Sequence, residues 1–550
     1  MSNLTGAQLL VEQLSLHGSD KIFGVPGESY LAVLDALYDA DGLDFITCRQ
    51  EGGAAMMAEA YGKQTGKPGI CMVTRGPGAT NASAGVHVAF QDSTPMILFI
   101  GQVARDMMDR EAFQEIDYRR MFGQMAKWVA QIDDADRIPE YIARAYQTAV
   151  SGRPGPVVLA LPEDMLSGPA KRGPDLAPYC VPQSYPAPQD MDRMKDMLAA
   201  AQKPLLIVGG GGWSRSVQAG LEAFCQREKL PVAASFRCQD YINNDLACYA
   251  GHVGIGIDAN LAKSIDDSDL LIVLGARLGE MTTNGYEVVR PPKTKQKLIH
   301  IYPQAEELGR VYQPDLAIVA TMSSFVKALS DCAFDQQSIW SPWQSELRAN
   351  YEKFSTPLAH RGDVQMCDVV AHIRQQLPDN TTITNGAGNY AIWTHRFFAY
   401  REYGNQLAPT CGSMGYGLPA AIAAATLDSV KPVVCMAGDG CFMMTCQEFA
   451  TAVQYGLKLI VIVVNNGKYG TIRMHQEKRF PARISGTTLQ NPDFSAMATA
   501  FGGFGVRVEK NEDFATAFEG AQNFEGPSLI EIIIDNQVIT PSQTIDDLRC

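Results

Sequence analysis

Short apolar runs of strand length alternate with segments of helical periodicity along the chain. In its first part, runs within residues 21–27, 44–49, 69–73, 95–101 and 156–162 predict strands, and helices are predicted near 30–38 and 52–65. A helix through Leu9 and Leu14 is predicted ahead of them, because Thr5 and Gln8 have the spacing of a capping box. Strands and helices that alternate in this way are typical of a doubly wound α/β domain.

The alternation continues beyond two stretches that interrupt it. A Pro-rich passage at 168–188 predicts a linker, and a polar stretch at 334–360 is expected to separate a further domain. Between them, strands are predicted at 204–208, 269–275 and 297–301, with a helix at 216–228. We therefore predict three α/β domains with mainly parallel sheets, at 1–170, 190–335 and 360–550. Residues 67–72 resemble residues 431–436, and this weak internal similarity favours first and third domains of similar topology.

One stretch of the third domain has the composition of a ligand site. Apolar runs at 433–437 and 459–464 flank a segment of helical periodicity at 443–455, which predicts a strand–helix–strand unit. Gly438-Asp439-Gly440 follows the first run and Asn465-Asn466 the second, with 24 residues between the motifs. Glycines and a helix N-terminus suit phosphate, and carboxylate and amide oxygens suit Mg2+. The unit therefore predicts a site for a metal-bound diphosphate; the alternative is a structural unit in which Asp439 caps a helix.

Composition excludes several classes of partner. A formal net charge of -14 argues against nucleic acid and anionic membranes, and no apolar run approaches the roughly 20 residues that span a bilayer. The 13 cysteines are scattered without a Cys-x-x-Cys pair, and the N-terminus shows no export signal. We expect a cytoplasmic protein with reduced thiols and small-molecule ligands.

Gly438-Asp439-Gly440, followed after 24 residues by Asn465-Asn466, resembles the cofactor motif of thiamine-diphosphate-dependent enzymes. The resemblance implies that Asp439, the side chain of Asn466 and the carbonyl of Lys468 hold Mg2+ on the diphosphate. It also implies a pyrimidine-binding first domain, a central Rossmann-like domain and a diphosphate-binding third domain. The residues implied to bind the cofactor are Gly388, Asn389, Tyr390, Gly412, Met414, Gly438, Asp439, Gly440, Asn466, Lys468 and Tyr469.

Glu51 is the predicted catalytic acid. It lies between a strand and a helix of small residues, so we expect it to be partly withdrawn from water and able to share a proton with a ring nitrogen. Its segment resembles the glutamate segment of the same family, which implies a hydrogen bond to the aminopyrimidine and formation of the imino tautomer that deprotonates C2 of the thiazolium. For Met414, among the glycines of 411–417, the resemblance implies a wedge beneath the bent cofactor. The structural alternatives are a helix-terminal acid and core filler.

Other segments indicate the branch of the family. Residues 76–81, 112–115 and 414–419 resemble the acetolactate (acetohydroxyacid) synthase large subunit, and the likeness runs the length of the chain. This implies a carboligase that joins a decarboxylated 2-oxoacid to a second carbonyl compound. Phe113 and Gln114 would face the reacting carbonyl, with Gln114 acting in catalysis. Arg277 would bind an acceptor carboxylate through two N–H groups, unless it is a surface residue.

Departures from the synthase pattern affect cofactor and substrate. His475 replaces a substrate-selecting tryptophan, and we expect its imidazole to shuttle a proton or bind the acceptor. Glu163 replaces a lysine near the substrate entrance, so the acceptor pocket is expected to differ from that of a biosynthetic synthase. Gly279-Glu280 replaces an acidic pair that helps to hold FAD, and the Gly run at 209–212 is a weak dinucleotide signal. We therefore expect FAD to be absent.

Three alternatives stay open on this evidence. They are a pyruvate-oxidase-like flavin-dependent oxidase, another lyase or decarboxylase branch of the superfamily, and a non-catalytic nucleotide-binding or regulatory protein on the same scaffold. Members of the family form the active site between the first domain of one subunit and the third domain of its neighbour. The resemblance therefore implies a homodimer or homotetramer.

Overall fold

The apolar runs become the strands of three six-stranded parallel sheets in the computed structural model, which describes residues 4–174, 176–334 and 337–549. This confirms the prediction of α/β domains with mainly parallel sheets. The chain divides into two compact units. The first consists of Met1–Pro182, Leu418–Asp428 and Met444–Leu457, and the second of Gln183–Gly417, Ser429–Met443 and Lys458–Cys550. Three limits of the predicted domains, residues 1, 335 and 550, lie outside the described residues. All the domain limits stay predictions.

The first unit is built on one of these sheets. Its strands are β1 (Leu4–Thr5), β2 (Lys21–Gly24), β3 (Asp44–Thr47), β4 (Gly69–Val73), β5 (Met96–Gln102), β6 (Trp128–Gln131), β7 (Pro156–Pro162) and β8 (Pro169–Ala170). Its helices include α1 (Gly6–Leu16), α2 (Leu31–Tyr38), α3 (Glu51–Thr65), α4 (Pro77–Asp92), α5 (Tyr118–Phe122), α6 (Ile138–Val150) and α7 (Glu163–Ser167). The sheet order is β3-β2-β4-β5-β7-β6, and β1 pairs with β8. Every residue of β4, β5 and β7 is buried, which is why these strands are continuous apolar runs. The predicted capping box of Thr5 and Gln8 is confirmed.

The second unit begins with the central sheet. Its strands are β9 (Pro204–Val208), β10 (Val232–Ala234), β11 (Tyr249–His252), β12 (Leu270–Leu274), β13 (Lys297–Tyr302) and β14 (Leu316–Val319). Its helices are α8 (Pro188–Ala200), α9 (Arg215–Glu228), α10 (Ala259–Asp267), α11 (Met322–Ser330) and α12 (Gln337–Phe354). The order β11-β10-β9-β12-β13-β14 is that of a Rossmann sheet.

The polar stretch at 334–360, which is expected to separate two domains, contains a packed helix, and its role as a domain boundary stays a prediction. Helix α12 is 18 residues long, with Trp340 and Trp343 buried. The two indoles lie in the cores on the two faces of the central sheet. Their N–H groups donate to the carbonyls of Ala201, at 2.9 Å, and Pro204, at 3.0 Å. Two large side chains thus anchor a helix whose other positions are mainly polar.

The third sheet also belongs to the second unit. Its strands are β15 (Thr382–Asn385), β16 (Gln406–Leu407), β17 (Val433–Gly438), β18 (Ile460–Asn465), β19 (Phe504–Val508) and β20 (Ser528–Ile533), followed by the pair β21 (Val538–Thr540) and β22 (Gln543–Thr544). The helices of this region are α13 (Met366–Gln376), α14 (Ala391–Phe397), α15 (Gly417–Leu427), α16 (Asp439–Phe442), α17 (Phe449–Gln454), α18 (Gly470–Arg479), α19 (Phe494–Phe501), α20 (Phe514–Asn523) and α21 (Ile545–Arg549). Most of α15 and all of α17 are counted with the first unit.

The first and third sheets share one topology. The third sheet has the order β16-β15-β17-β18-β20-β19, so both sheets place their strands in the chain order 2-1-3-4-6-5. The similar segments 67–72 and 431–436 run into β4 and β17, the third strand of each sheet. The prediction of two domains with similar topology is therefore confirmed.

The single helix predicted at 443–455 is not observed. The chain forms α16, a turn, a 3-10 turn at Cys446–Glu448 and then α17. It passes from the second unit to the first between Met443 and Met444, which are 43% and 48% exposed. The apolar periodicity there does not mark one continuous helix. Helix α16 ends before the predicted span and belongs to the second unit, whereas α17 belongs to the first. Among the described residues, no helix combines the length and apolar character needed to cross a membrane.

Candidate active site

A cavity lies at the C-terminal ends of three neighbouring strands, β15, β17 and β18. Loops that follow adjacent parallel strands meet at one edge of the sheet, where open α/β sheets bind ligands. The cavity has a volume of about 310 Å3, which is enough for a small cofactor. All eleven residues predicted to bind the cofactor, from Gly388 to Tyr469, line it. The fold thus brings together positions that are far apart in the sequence.

Asp439 is the one carboxylate among the described residues that line this cavity. It is 3% exposed, and its oxygens accept hydrogen bonds from the N–H groups of Gly440, at 2.8 Å, and Gly467, at 2.9 Å. A third bond, at 2.8 Å, comes from Nδ2 of Asn491, which also donates to Asn465 at 2.9 Å. Burial raises the pKa of the Asp439 carboxyl, and these hydrogen bonds oppose the change. A cation beside Asp439 would therefore stabilise a charge that is costly to bury.

The loop after β18 carries the other predicted metal ligands. Asn466 accepts the N–H of Lys468 at 3.2 Å through its side-chain oxygen, which closes a tight turn. Main-chain bonds then tie Gly467 and Tyr469 to residues 487–489, at 2.8 and 3.0 Å. Because both sides of the loop are fixed, the Asn466 side chain and the Lys468 main chain are held at the cavity wall.

The two glycines of the Gly-Asp-Gly motif lie against aromatic rings. A Cβ at Gly438 would stand 2.7 Å from Cδ1 of Tyr390, and a Cβ at Gly440 would stand 2.5 Å from Cε1 of Tyr469. Both distances are shorter than carbon atoms approach without a clash, so a side chain at either position would displace a ring that lines the cavity. Glycine at these positions therefore preserves the shape of the turn between β17 and α16.

The remaining predicted cofactor residues are held by local contacts. The amide of Asn389 donates to the carbonyl of Ile539 at 3.0 Å and accepts from the Thr471 hydroxyl at 2.8 Å. Gly412 has a φ of +70°, a left-handed conformation that favours glycine. Met414 is half-buried and packs against the core of the third sheet.

The donor set fits a magnesium-bound diphosphate. Across residues 4–174, 176–334 and 337–549, no group of three or more His, Cys, Asp or Glu side chains could hold a metal ion. A cation at this cavity would therefore be bound by one carboxylate and neutral oxygens, with its remaining ligands supplied by a bound molecule. Mg2+ in phosphate sites has this combination of ligands.

In the first unit, Glu51 begins helix α3. It is half-buried, as expected, and its Oε2 accepts a hydrogen bond from Nδ2 of Asn81 at 2.9 Å. The side chain of the preceding residue, Gln50, caps the helix by accepting the N–H of Gly53 at 3.0 Å. The acid is therefore presented at a helix start that is itself well ordered by hydrogen bonds.

Family comparisons agree with this arrangement. Matches are found to the family descriptions "Thiamine pyrophosphate enzyme, N-terminal TPP binding domain" at residues 4–121, "central domain" at 191–329 and "C-terminal TPP binding domain" at 386–532. The chain belongs to the thiamine pyrophosphate enzyme family. Thiamine pyrophosphate is thiamine diphosphate, so the predicted organic cofactor and the three-domain α/β class are confirmed.

Relatives of similar length carry one name. The acetolactate synthase isozyme 2 large subunit of Escherichia coli (strain K12) is 32% identical over 541 residues, which cover 97% of this chain and 96% of that protein. Acetolactate synthase, mitochondrial, of Schizosaccharomyces pombe is 30% identical over 565 residues, covering 96% and 83%. The acetolactate synthase large subunit of Corynebacterium glutamicum is 29% identical over 551 residues, which cover 96% of this chain and 87% of that protein. The predicted likeness to this branch is confirmed, and a flavin-dependent oxidase is not favoured.

Two predicted substrate residues of this enzyme lie on a loop of the first unit. Phe113 is 73% exposed, and Gln114 has a left-handed φ of +65°. Nε of the buried Arg75 donates to the carbonyl of Phe113 at 3.0 Å, and Nη1 forms an ion pair of 3.1 Å with Glu163. A Cβ at Gly76 would stand 2.8 Å from Cβ of Gln114. Glu163 therefore balances the charge of an arginine that holds the loop carrying Phe113 and Gln114.

The other two predicted substrate residues do not line the cavity. Arg277 follows β12, and His475 is exposed on α18. The central domain instead lines it with Phe236, Arg237, Ile255 and Met281. Arg237 is buried, has a left-handed φ of +60°, and places its guanidinium carbon 4.9 Å from the centre of the Phe236 ring. No motif marks Arg237; its signal in the sequence is a position just after a short strand, β10.

The Gly run after β9 packs against protein groups. The carbonyl of Gly209 accepts the indole N–H of Trp213 at 2.8 Å, and that of Gly210 accepts the hydroxyl of Tyr241 at 2.6 Å. A Cβ at Gly210 would stand 1.9 Å from the carbonyl oxygen of Gly275. Close packing of two main chains therefore accounts for glycine here.

Proposed function

We propose that this enzyme is a thiamine-diphosphate- and Mg2+-dependent carboligase, which decarboxylates a 2-oxoacid and joins the remaining fragment to a second carbonyl compound. The observation that carries the proposal is the cavity at β15, β17 and β18, where one buried carboxylate, Asp439, accompanies neutral oxygen donors and tight glycine turns. The reaction type is taken from the relatives, which are named acetolactate synthases.

The metal and diphosphate contacts are assigned to the loops at the sheet edge. Asp439, the side chain of Asn466 and the main-chain carbonyl of Lys468 would hold Mg2+. The turn through Gly438 and Gly440 would bring main-chain N–H groups to the phosphate oxygens. Further cofactor contacts are assigned to Gly388, Asn389, Tyr390 and Tyr469.

The organic half of the site is assigned to groups that hold and orient it. When bound, thiamine diphosphate supplies the carbanion chemistry that releases CO2 and forms the new bond. Glu51 would hold a proton against the aminopyrimidine, and its bond from Asn81 would restrict the carboxylate to one orientation. Gly412 would offer its main chain to the pyrimidine, and Met414 would support the bent cofactor from below.

We further propose a homodimer or homotetramer, in which Glu51 of one subunit serves the cofactor held by its neighbour. This follows the subunit arrangement that the family resemblance implies. Sedimentation of the active enzyme tests it, because a fully active monomer would contradict it.

The substrate groups are assigned to a loop of the first unit and to an arginine of the second. Phe113 and Gln114 would face the reacting carbonyl, supported by the anchoring of their loop by Arg75. The carboxylate of an oxoacid would be bound by an arginine, and Arg237 is the better placed candidate because, unlike Arg277, it lines the cavity. The proton-transfer role of His475 stays a prediction.

We also propose that the enzyme works without FAD. The packing of the Gly run after β9 supports this, since its close contacts have a structural explanation. Equal activity with and without added FAD, in protein that has no flavin absorbance, is the expected result. The cytoplasmic location stays a prediction from the cysteine pattern.

A substrate panel tests the proposed reaction. Purified enzyme would be incubated with several 2-oxoacids and carbonyl acceptors, with and without thiamine diphosphate and Mg2+, while CO2 and coupled products are measured. We expect CO2 release and a new carbon–carbon bond that require both additions, and loss of both in Glu51→Gln. CO2 release without any coupled product would replace the carboligase assignment by a simple decarboxylase.

A further inference from the structure

A carboxylate from a distant part of the chain lies at the start of the helix that carries Glu51. Glu448 follows Asp439 by nine residues, yet belongs to the same unit as Glu51. Its Oε1 accepts the N–H of Gln50 at 2.9 Å and that of Arg49 at 3.1 Å, and its Oε2 lies 3.2 Å from the Arg49 nitrogen. These are the two residues before Glu51. One carboxylate therefore fixes the main chain where β3 leads into α3.

The site around Glu448 is built to hold a carboxylate. Glu448 is 0% exposed, and its second oxygen also accepts the Thr451 hydroxyl at 2.7 Å. Gly53, in the first turn of α3, makes room for it, because a Cβ there would stand 2.8 Å from Oε1 of Glu448. Glycine weakens a helix relative to alanine, so close approach of Glu448 is a physical reason for glycine at this position. A negative charge at a helix N-terminus is also favourable.

Tyr455, seven residues after Glu448, binds strand β3 at positions further from Glu51. Strand β3 is an edge strand, with one side not paired in the sheet. The Tyr455 hydroxyl accepts the N–H of Thr47 at 2.7 Å and donates to the carbonyl of Phe45 at 3.2 Å, which satisfies this edge. Tyr455 thus binds β3 itself, whereas Glu448 binds the two residues between β3 and Glu51, and this difference makes Tyr455 a matched control.

We propose that Glu448 is a positioning residue for catalysis: its carboxylate locks the two peptide groups before Glu51 and so sets the direction of the Glu51 side chain. The proposal rests on the role of Glu51 proposed above. A misplacement of about 1 Å can cost about 100-fold in rate, so a loosened turn would slow proton transfer while the diphosphate site stays intact.

The test uses full-length Glu448→Ala and Glu448→Gln with three measurements. Amide hydrogen exchange in residues 48–56 of the cofactor-free protein reports on the turn. Deuterium exchange at C2 of bound thiamine diphosphate reports on proton transfer, and calorimetry gives cofactor affinity in Mg2+. For Glu448→Ala we expect exchange at 48–56 to rise and C2 exchange to fall, each by about tenfold or more, with cofactor affinity within about threefold of the original. Glu448→Gln should be intermediate, because its amide oxygen still accepts from the same N–H groups.

Controls separate this role from simple destabilisation. Tyr455→Phe should lower the melting temperature without slowing C2 exchange. If Glu448→Ala does not fold, Gly53→Ala takes its place, because the added methyl group pushes the Glu448 carboxylate from its site. Unchanged C2 exchange in the folded variants, or an equal slowing in Tyr455→Phe, would overturn the proposal.

Glu51→Gln distinguishes this proposal from the proposed function. If Glu51→Gln slows C2 exchange but the Glu448 variants do not, the positioning role alone is wrong. If Glu51→Gln itself leaves C2 exchange unchanged, the catalytic role of Glu51 fails, and the positioning role fails with it.

Discussion

Replacing Asp439 by asparagine should abolish the stabilisation of the protein by its cofactor, with a much smaller effect on the cofactor-free protein. The Asp439 carboxylate is 3% exposed and accepts bonds from Gly440, Gly467 and Asn491 at 2.8, 2.9 and 2.8 Å. Asparagine fills the same space but has one acceptor oxygen, and its NH2 group would face two of these donors.

Two effects oppose each other in the cofactor-free protein. About two charge-assisted hydrogen bonds are lost, each worth about 1.5–3 kcal/mol. Asn491 cannot turn its oxygen toward the new amide without losing its 2.9 Å bond to Asn465. Against this, removal of a buried charge relieves a desolvation cost of several kcal/mol. We expect the net change in unfolding free energy to stay within about 2 kcal/mol.

The two proteins should differ much more in the presence of the cofactor. At a cofactor concentration of about 100 times Kd, binding stabilises the native state by about 2.7 kcal/mol. For a unit as large as the one that holds the cavity, that is a rise in melting temperature of about 4 °C. Loss of a charged metal ligand should weaken binding by about 100-fold or more, which leaves at most about 0.4 kcal/mol at the same concentration.

The assay is thermal unfolding with and without Mg2+ and thiamine diphosphate. Asp240→Asn is the matched control, since Asp240 is 1% exposed and accepts three main-chain N–H groups from residues 404–406, but does not line the cavity. Asp240→Asn should change the melting temperature of the cofactor-free protein but keep the rise in melting temperature that the cofactor causes. A full rise in Asp439→Asn would refute the assignment of Asp439 as the metal ligand.

Two further predictions concern substrate binding and pH. Arg237→Gln should raise the KM for the 2-oxoacid by about tenfold or more, as expected for loss of a guanidinium–carboxylate pair, and Arg277→Gln should change it less; steady-state kinetics with the reverse ranking would contradict this. The side-chain hydrogen bond from Arg549 is the main cause that lowers the pKa of Glu477 to about 2. The stability from this lowered pKa is complete above the ordinary range of glutamate and is lost as the pH falls toward about 2, so Glu477→Gln should show a smaller drop in melting temperature between about pH 6 and about pH 3 than the unaltered protein. An equal drop in the melting temperature of both proteins would contradict the stabilising role of the Glu477 carboxylate.

The sequence predicted the parts of this enzyme in which burial and chemistry coincide with a local pattern. Strands such as β4 and β17 are buried along their whole length, so they read as apolar runs with a motif at the end. The cavity that we assign to the cofactor could be predicted because many of its residues directly follow such strands. Glu448 and Arg237 could not, because the role proposed for each depends on contacts with segments far away in the chain. The helix predicted at 443–455 was wrong because residues 443–445 form a turn, in which the apolar side chains of Met443 and Met444 are partly exposed rather than buried.

The shared topology of the first and third sheets explains why only one of them is assigned the diphosphate. In the order 2-1-3-4-6-5, the loops after the first and third strands border the switch point where ligands bind. In the third sheet these loops carry Asn389 and Asp439, which line the cavity. In the first sheet the same loops close on each other: the Ser29 and Thr74 hydroxyls lie 2.9 Å apart, and a Cβ at Gly27 would stand 2.5 Å from Cβ of Thr74. With that position filled by side chains, the first sheet has its candidate catalytic group beyond a different strand, the edge strand β3. There the acid depends on a distant carboxylate, rather than on the sheet, for its orientation.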